Sequence, residues 1–210
     1  METTRRTRPS GNRFRFRGEE DTSQSDEKLW FATRNKRKFQ EAKAILANRG
    51  VKVHHLSKAK TELQSSNLQE IASFAANSLS KNQPGIVAVE DSGLFVRALE
   101  GFPGPYTAYV YRTIRPSGVL KLLKGRRERA AFFLASVAAA KSGRTCKVFT
   151  GRVPGSIAWR EKGRNGFGFD PIFIPQGERM TYGEMDENRK NIFSHRHEAF
   201  RKLAEWYLSR

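Results

Sequence analysis

Residues 86–94 have the sequence IVAVEDSGL, and this stretch decides the fold. Its apolar start predicts a buried strand that ends at two adjacent acids, Glu90 and Asp91. Open α/β sheets bind their ligands at the carboxyl ends of strands, so the position favours a functional site. Two carboxylates are costly in a core unless a cation neutralises them, and Mg²⁺ is the usual cation beside phosphates. On this motif alone, a strand that simply ends in a polar turn explains the pair equally well.

Strand and helix patterns alternate on both sides of this stretch. Apolar spacing and turn residues predict the other elements: strands over 29–32 and 51–56, helices over 35–49 and 68–80, a helical region over 106–124 interrupted at 116–118, a hairpin of strands 130–140 and 145–153, and a final helix over 194–209 with Ser194 as its N-cap. Alternating strands and helices followed by a hairpin indicate an α/β fold with a mixed central sheet flanked by helices.

Composition restricts the class of protein. The 210 residues suffice for one substantial domain, which we expect over 28–210, and the formal net charge of +18 favours polyanionic ligands such as nucleotides or nucleic acid. No apolar run is long enough to cross a membrane. The single cysteine, Cys146, cannot form an internal disulfide, which favours a reducing compartment such as the cytoplasm.

Residues 1–27 differ in composition from the rest of the chain. They contain six Arg and six Asp or Glu but few aliphatic residues, which predicts a disordered extension. The Arg-rich start is typical of organellar transit peptides, whereas Glu2 and the later acids are not, so organellar import stays open. The Arg-rich part of this extension also supports an alternative function, a basic nucleic-acid-binding protein built on the same fold.

Two further segments carry groups suited to phosphate and metal. Residues 33–38 (TRNKRK) join the first strand to the first helix, where free backbone N–H groups and the helix dipole favour anions. Thr33 and Asn35 could donate to phosphate oxygens, and Lys38 adds charge; an Asn N-cap on a basic helix is the ordinary alternative. Glu62, in the loop before the second helix, becomes a candidate metal ligand if Asp91 needs a partner to hold a metal.

A last segment predicts a pocket for a flat base. In residues 166–173 (GFGFDPIF) two glycines flank Phe167, whose ring could stack on a base. His195 and Arg196 lie at the start of the final helix, and the planar guanidinium of Arg suits a keto oxygen. Each residue also has an ordinary interpretation as core filler or solvated charge.

Six segments together resemble the inosine triphosphate pyrophosphatase family, and they span residues 29–210 in the family's order: 31–38 (FATRNKRK), 90–94 (EDSGL), 101–104 (GFPG), 166–173 (GFGFDPIF), 181–185 (TYGEM) and 190–196 (KNIFSHR). The resemblance implies hydrolysis of ITP, dITP or XTP between the α- and β-phosphates, releasing the monophosphate and pyrophosphate. It also implies Mg²⁺, a homodimer, and two lobes with the active site in the cleft between them.

The resemblance also implies roles for individual residues. Glu62 and Asp91 would hold the metal, Asp91 or Glu90 would orient or deprotonate the attacking water, and Lys38 would add positive charge. The expected substrate-binding residues are Thr33, Asn35, Lys38, Ser92, Phe167, Gly168, Phe169, Asp170, Lys190, His195 and Arg196. The chain departs from the family pattern on the second helix, where Asn77 stands near the place at which many members have a phosphate-binding lysine.

Overall fold

The computed structural model describes residues 27–61 and 63–210. The predicted extension therefore lies outside the described residues except for its last residue, and so does Glu62. The order of elements is β1 (Leu29–Ala32), α1 (Lys36–Ala47), β2 (Val53–Leu56), α2 (Leu68–Ser80), β3 (Ile86–Val96), β4 (Pro103–Gly104), α3 (Thr107–Thr113), α4 (Arg115–Leu122), β5 (Ala130–Lys141), β6 (Arg144–Ile157), β7 (Phe173–Pro175), α5 (Glu187–Ile192) and α6 (His195–Leu208).

The strands form one seven-stranded mixed sheet in the order β2-β1-β3-β5-β6-β7, with β4 paired to β3. Strand β3 is parallel to β1 along Ile86 to Val89 and antiparallel to β5 along Val87 to Val96. The predicted mixed sheet flanked by helices is therefore confirmed.

The prediction that this strand ends at the acid pair is wrong. Strand β3 continues for five residues beyond Asp91 because β5 supplies backbone hydrogen-bond partners as far as Val96. Its parallel neighbour β1, however, stops at Ala32, whose partner on β3 is Val89. The acids therefore lie just beyond the carboxyl end of β1, in the middle of a longer strand.

Helices cover both faces of the sheet around the acid pair. Helices α1 and α6 pack on one face, where Phe31 and Ala88 share a core with Phe200. Helix α2 packs on the other face against Val87 and Val89. A third apolar cluster lies further along β3 and β5 and includes Leu94, Val96, Phe133, Phe173 and Tyr182.

The helical region after β4 is interrupted at a different place from the one predicted. The break falls between α3 and α4 at Ile114, where Arg115 has a φ of 60°. Pro116 lies in the first turn of α4, where the missing N–H costs no helical hydrogen bond. In the described part of the chain, every helix is too short or too polar to cross a membrane.

Candidate active site

Strand β3 sends its two acids to opposite sides of the sheet, because adjacent strand residues face opposite ways. Glu90 lies on the side covered by α1 and α6, whereas Asp91 lies on the side covered by α2. The pair is therefore two separate groups with different surroundings.

Glu90 is a fully buried carboxylate held between two cations. The Lys38 ammonium lies 2.7 Å from Oε2, and the Arg196 guanidinium lies 3.2 Å from Oε1. Burial by itself would raise the pKa of Glu90, but Arg196 and Lys38 overcome that cost and hold the pKa well below its usual range. The ion pairs in turn raise the pKa of Arg196 against the effect of burial. Glu90 is thus ionised at neutral pH, with one cation beside each of its oxygens.

Glu41 is a site residue that the sequence reasoning missed. It projects from α1 into the interior, accepts a short hydrogen bond from Arg196 Nη1, and lies 3.6 Å from Lys190 Nζ. The signal was present in the sequence, because Glu41 stands three residues after Lys38 and four before Ile45 on one helix face. A carboxylate on the apolar face of a helix indicates a buried cationic partner.

Asp170 closes the other end of this buried cluster. Its carboxylate accepts from Lys190 Nζ at 2.7 Å and from the Phe167 backbone N–H at 2.6 Å. Burial raises the pKa of Asp170, and Lys190 and the backbone N–H oppose that rise. The turn needs glycine at Gly166, where φ is 73° and an added Cβ would lie 2.1 Å from Asp170 Oδ2.

Phe167 stands partly exposed beside these cations. Lys190 Nζ lies 4.8 Å from the centre of its ring, and the Arg196 guanidinium carbon lies 5.7 Å from it. Arg37 donates to the Gly166 carbonyl at 2.9 Å and so ties the turn to helix α1. The result is an aromatic ring next to fixed hydrogen-bond donors, which is a suitable arrangement for a polar heteroaromatic ligand.

A cleft of about 980 Å³ opens next to the ring, between α1 and two segments, 164–167 and 185–191. Glu41, Phe167 and Lys190 line it. Its volume lies at the upper end of the range typical of small-molecule sites. The cleft thus connects the buried ionic cluster to solvent.

The predicted phosphate cradle adopts a capped helix start. The Asn35 side-chain oxygen accepts from the N–H groups of Arg37 and Lys38, and Thr33 Oγ1 accepts from the Asn35 N–H. The ordinary interpretation of Asn35 as an N-cap is therefore confirmed, while its amide NH₂ has no role in the cap. Lys38 also reaches Ser92 Oγ at 3.1 Å, which links this segment to β3.

The Asp91 side chain is more exposed to solvent than that of Glu90. Its side chain is 16% exposed, and Oδ1 lies 3.0 Å from Lys60 Nζ. Ser136 is its register partner on β5, so the two side chains share a face. The buried Ser136 hydroxyl has no hydrogen-bond partner in the part of the chain that the structure describes. Among residues 27–61 and 63–210, no three His, Cys, Asp or Glu side chains are grouped closely enough to hold a metal.

Three other residues named by the sequence do not line the cleft. Phe169 is 1% exposed and packs edge-on against Tyr111 in the core, so the structure does not bring its side chain to the cleft. His195 is buried with its ring stacked 4.7 Å from Phe133. Burial, followed by the nearby Arg196, lowers the pKa of His195 well below its ordinary value, so the ring is neutral. Asn77 accepts a hydrogen bond from Thr145 at 2.8 Å.

Comparison with known proteins shows which family the chain belongs to. A model of the Ham1 family matches residues 29–206. This chain belongs to the Ham1 family. A dITP/XTP pyrophosphatase from Methanopyrus kandleri is 47% identical over 180 residues, which cover 86% of this chain and 96% of that protein.

Solved structures agree with the family assignment. A HAM1 protein from Coxiella burnetii has a TM-score of 0.78 and 26% identity, covering 88% of this chain and 100% of that one. The Ham1 protein of Staphylococcus aureus has a TM-score of 0.74 and 28% identity, covering 86% of this chain and 97% of that one. The resemblance carried by the six sequence segments is thereby confirmed.

Proposed function

We propose that this chain hydrolyses non-standard purine nucleoside triphosphates, namely ITP, dITP and XTP, to the monophosphate and pyrophosphate. The observation that carries the proposal is the Arg196 guanidinium beside the Phe167 ring, held rigidly by Glu41 and Glu90. Its buried Nε–H has no hydrogen-bond partner among the described residues, so the guanidinium keeps one unused donor. The name of the relative from Methanopyrus kandleri, dITP/XTP pyrophosphatase, supports the same substrate class.

Base selectivity would follow from the chemistry at purine position 6. Hypoxanthine and xanthine present a keto oxygen there, which accepts from Arg196, whereas adenine presents an amino group that donates. A buried donor without a partner costs about 1–3 kcal/mol, which corresponds to roughly ten- to hundredfold discrimination against ATP. Guanine also has a keto oxygen at this position, so exclusion of GTP requires another part of the pocket.

The residues around Asp91 fit a magnesium ion that arrives with phosphates. Mg²⁺ keeps several waters and binds through one or two carboxylates together with substrate oxygens, so a full protein cage is not required. Asp91 is partly exposed and already attracts a cation, and Glu62 would be the second carboxylate. When bound, the metal would offset the negative charge on the phosphate oxygens.

Side chains of this protein would activate the water, balance the phosphate charge and hold the nucleoside. Asp91, the more exposed acid, is suited to orient or deprotonate the attacking water. Glu90 is poorly suited, because its pKa is strongly depressed and both oxygens face cations on the other side of the sheet. Lys38 would balance charge on the phosphates from the first helical turn, and Lys190 would fix the nucleoside end of the cleft.

Two acid substitutions test this assignment by pyrophosphate release from ITP with Mg²⁺. Asp91→Asn should reduce kcat at least a hundredfold with an unchanged circular dichroism spectrum, because the group at the water is lost. Glu205→Gln is the matched control, since that carboxylate lies on the surface and, among the described residues, pairs with Arg49 and Arg201 alone. Full activity in Asp91→Asn would overturn the role of Asp91.

Assembly and localisation remain part of this proposal. A homodimer is supported by exposed aromatic residues before and within α3, where Tyr106 is 49% and Tyr109 60% exposed. Light scattering that gives a monomer mass at working concentrations would contradict it. A cytoplasmic location stays a prediction from the cysteine count. The alternative of a nucleic-acid-binding protein receives no support from the relatives.

A further inference from the structure

Lys60 has a position that neither the sequence motifs nor the proposed reaction explains. It lies in the loop between β2 and α2, and its ammonium contacts Asp91 Oδ1 at 3.0 Å. Its side chain is 26% exposed, so the contact is at the margin of the interior rather than within it. In the described part of the chain, Lys60 is the only cation that forms an ion pair with Asp91.

The ammonium occupies an oxygen that a metal would need. A carboxylate oxygen that accepts from an ammonium at 3.0 Å has the lone pairs on that side engaged, and the positive charge repels a divalent ion. Lys60 and a metal therefore compete for Asp91. A flexible four-carbon stem on an irregular loop lets the ammonium leave without unfolding any helix or strand.

The surrounding face has few other cations for a triphosphate. Helix α2, which covers this side of the sheet, contains no Lys or Arg, and its Asn77 is neutral and bonded to Thr145. Lys38, which would approach the phosphates from the other side of β3, is already held in a 2.7 Å ion pair with Glu90. A lysine released from Asp91 would therefore stand next to phosphate oxygens as a mobile positive charge.

We propose that Lys60 is a two-position cation: it pairs with Asp91 when no metal is bound, and it moves to the phosphate chain when the metal takes its place. This inference rests on the proposed function for its ligand class. It makes a chain-specific prediction, since the loop lysine both weakens binding of the free metal and strengthens binding of the metal–phosphate complex.

The first test measures Mn²⁺ binding without nucleotide, from the loss of the free-ion signal in electron paramagnetic resonance. Lys60→Met should tighten Mn²⁺ binding about three- to tenfold, because a competing charge is removed. Lys58→Met is the matched control: it removes the same charge from the same loop, but Lys58 contacts Gln83. The control should change the affinity less than twofold.

The second test uses inorganic tripolyphosphate at saturating Mg²⁺, followed by calorimetry. Lys60→Met should weaken its binding about tenfold, whereas Lys58→Met should leave it nearly unchanged. Unchanged or weaker Mn²⁺ binding in Lys60→Met would overturn the competition. A gain in Mn²⁺ affinity that persists when Lys60→Met is combined with Asp91→Asn would also overturn the competition. Unchanged tripolyphosphate binding in Lys60→Met would show that Lys60 does not move to the phosphate chain. Neither test uses a nucleotide or turnover, so an incorrect substrate assignment would leave both results interpretable.

Discussion

The buried ionic cluster predicts a specific cost for replacing Glu41 with Gln. Two buried cations, Lys190 and Arg196, and the partly exposed Lys38 face three buried carboxylates, Glu41, Glu90 and Asp170. Glu41→Gln leaves three cations against two carboxylates, and therefore one uncompensated buried positive charge.

The expected loss of folding stability follows from that excess charge. Breaking a buried ion pair costs about 3–5 kcal/mol, and the low end applies because Gln keeps an acceptor for Arg196. A loss of about 3 kcal/mol lowers Tm by roughly 6–12 °C for a chain of this size. Denaturant unfolding monitored by circular dichroism measures the change directly.

A double substitution separates charge balance from lost packing. Glu41→Gln with Arg196→Met restores balance, since two cations then face two carboxylates, so the double variant should cost about 1–3 kcal/mol less than the sum of the single variants. Glu205→Gln, whose carboxylate is exposed, should cost under about 1 kcal/mol. Additivity within about 0.5 kcal/mol would refute the description of the cluster as one balanced unit.

Three further outcomes are expected. Buried neutral His195 has a folded-state pKa far below its unfolded value, so its contribution to the free energy of unfolding is complete above about pH 6.5 and is lost as the pH falls, at up to about 1.4 kcal/mol per pH unit. His195→Asn should flatten this pH dependence in unfolding experiments. An unchanged slope would contradict the assignment of His195 as a buried neutral ring. Gly151→Ala would place a Cβ 2.0 Å from the His195 carbonyl oxygen, so it should cost more than about 3 kcal/mol or prevent folding, and a wild-type Tm would contradict this close contact. Arg196→Met should lower the ratio of kcat/KM for ITP over ATP by about ten- to hundredfold, and an unchanged ratio would argue against base reading by this residue.

Much of the secondary structure followed from local pattern. Strand β1 and helix α2 have the predicted bounds because their apolar spacing and flanking turn residues agree. The N-caps Asn35 and Ser194 were also recognisable, since a polar residue before an apolar helical repeat satisfies free N–H groups.

The length of β3 could not be predicted from its own residues. Two acids and a glycine normally indicate the end of a strand, but here β5 supplies hydrogen-bond partners from forty residues further along the chain. Only the pairing with β5 shows that Glu90 and Asp91 lie within a continuous strand rather than at its end. Once that strand is known, period-two alternation places the two acids on opposite sides of the sheet.

The site was predictable as a set of motifs but not as a set of contacts. The sequence named Lys38, Glu90, Asp170 and Arg196, yet it could not show that Glu41 joins the two halves of the cluster. Lys60 escaped notice because a lysine in a basic chain carries little information until its partner is known. Phe169 was named with Phe167 because both lie in the segment 166–173 that carries the family resemblance, but the turn at Gly168 separates their side chains.

In the proposed reaction, the fixed guanidinium of Arg196 selects a keto group at purine position 6 of a triphosphate. The most direct test of this selection is pyrophosphate release by the purified protein from ITP, XTP, dITP, GTP and ATP, with and without Mg²⁺. We expect Mg²⁺-dependent release from ITP, XTP and dITP, with kcat/KM at least about tenfold above that for ATP. Equal turnover of ITP and ATP, or release that is independent of Mg²⁺, would contradict it.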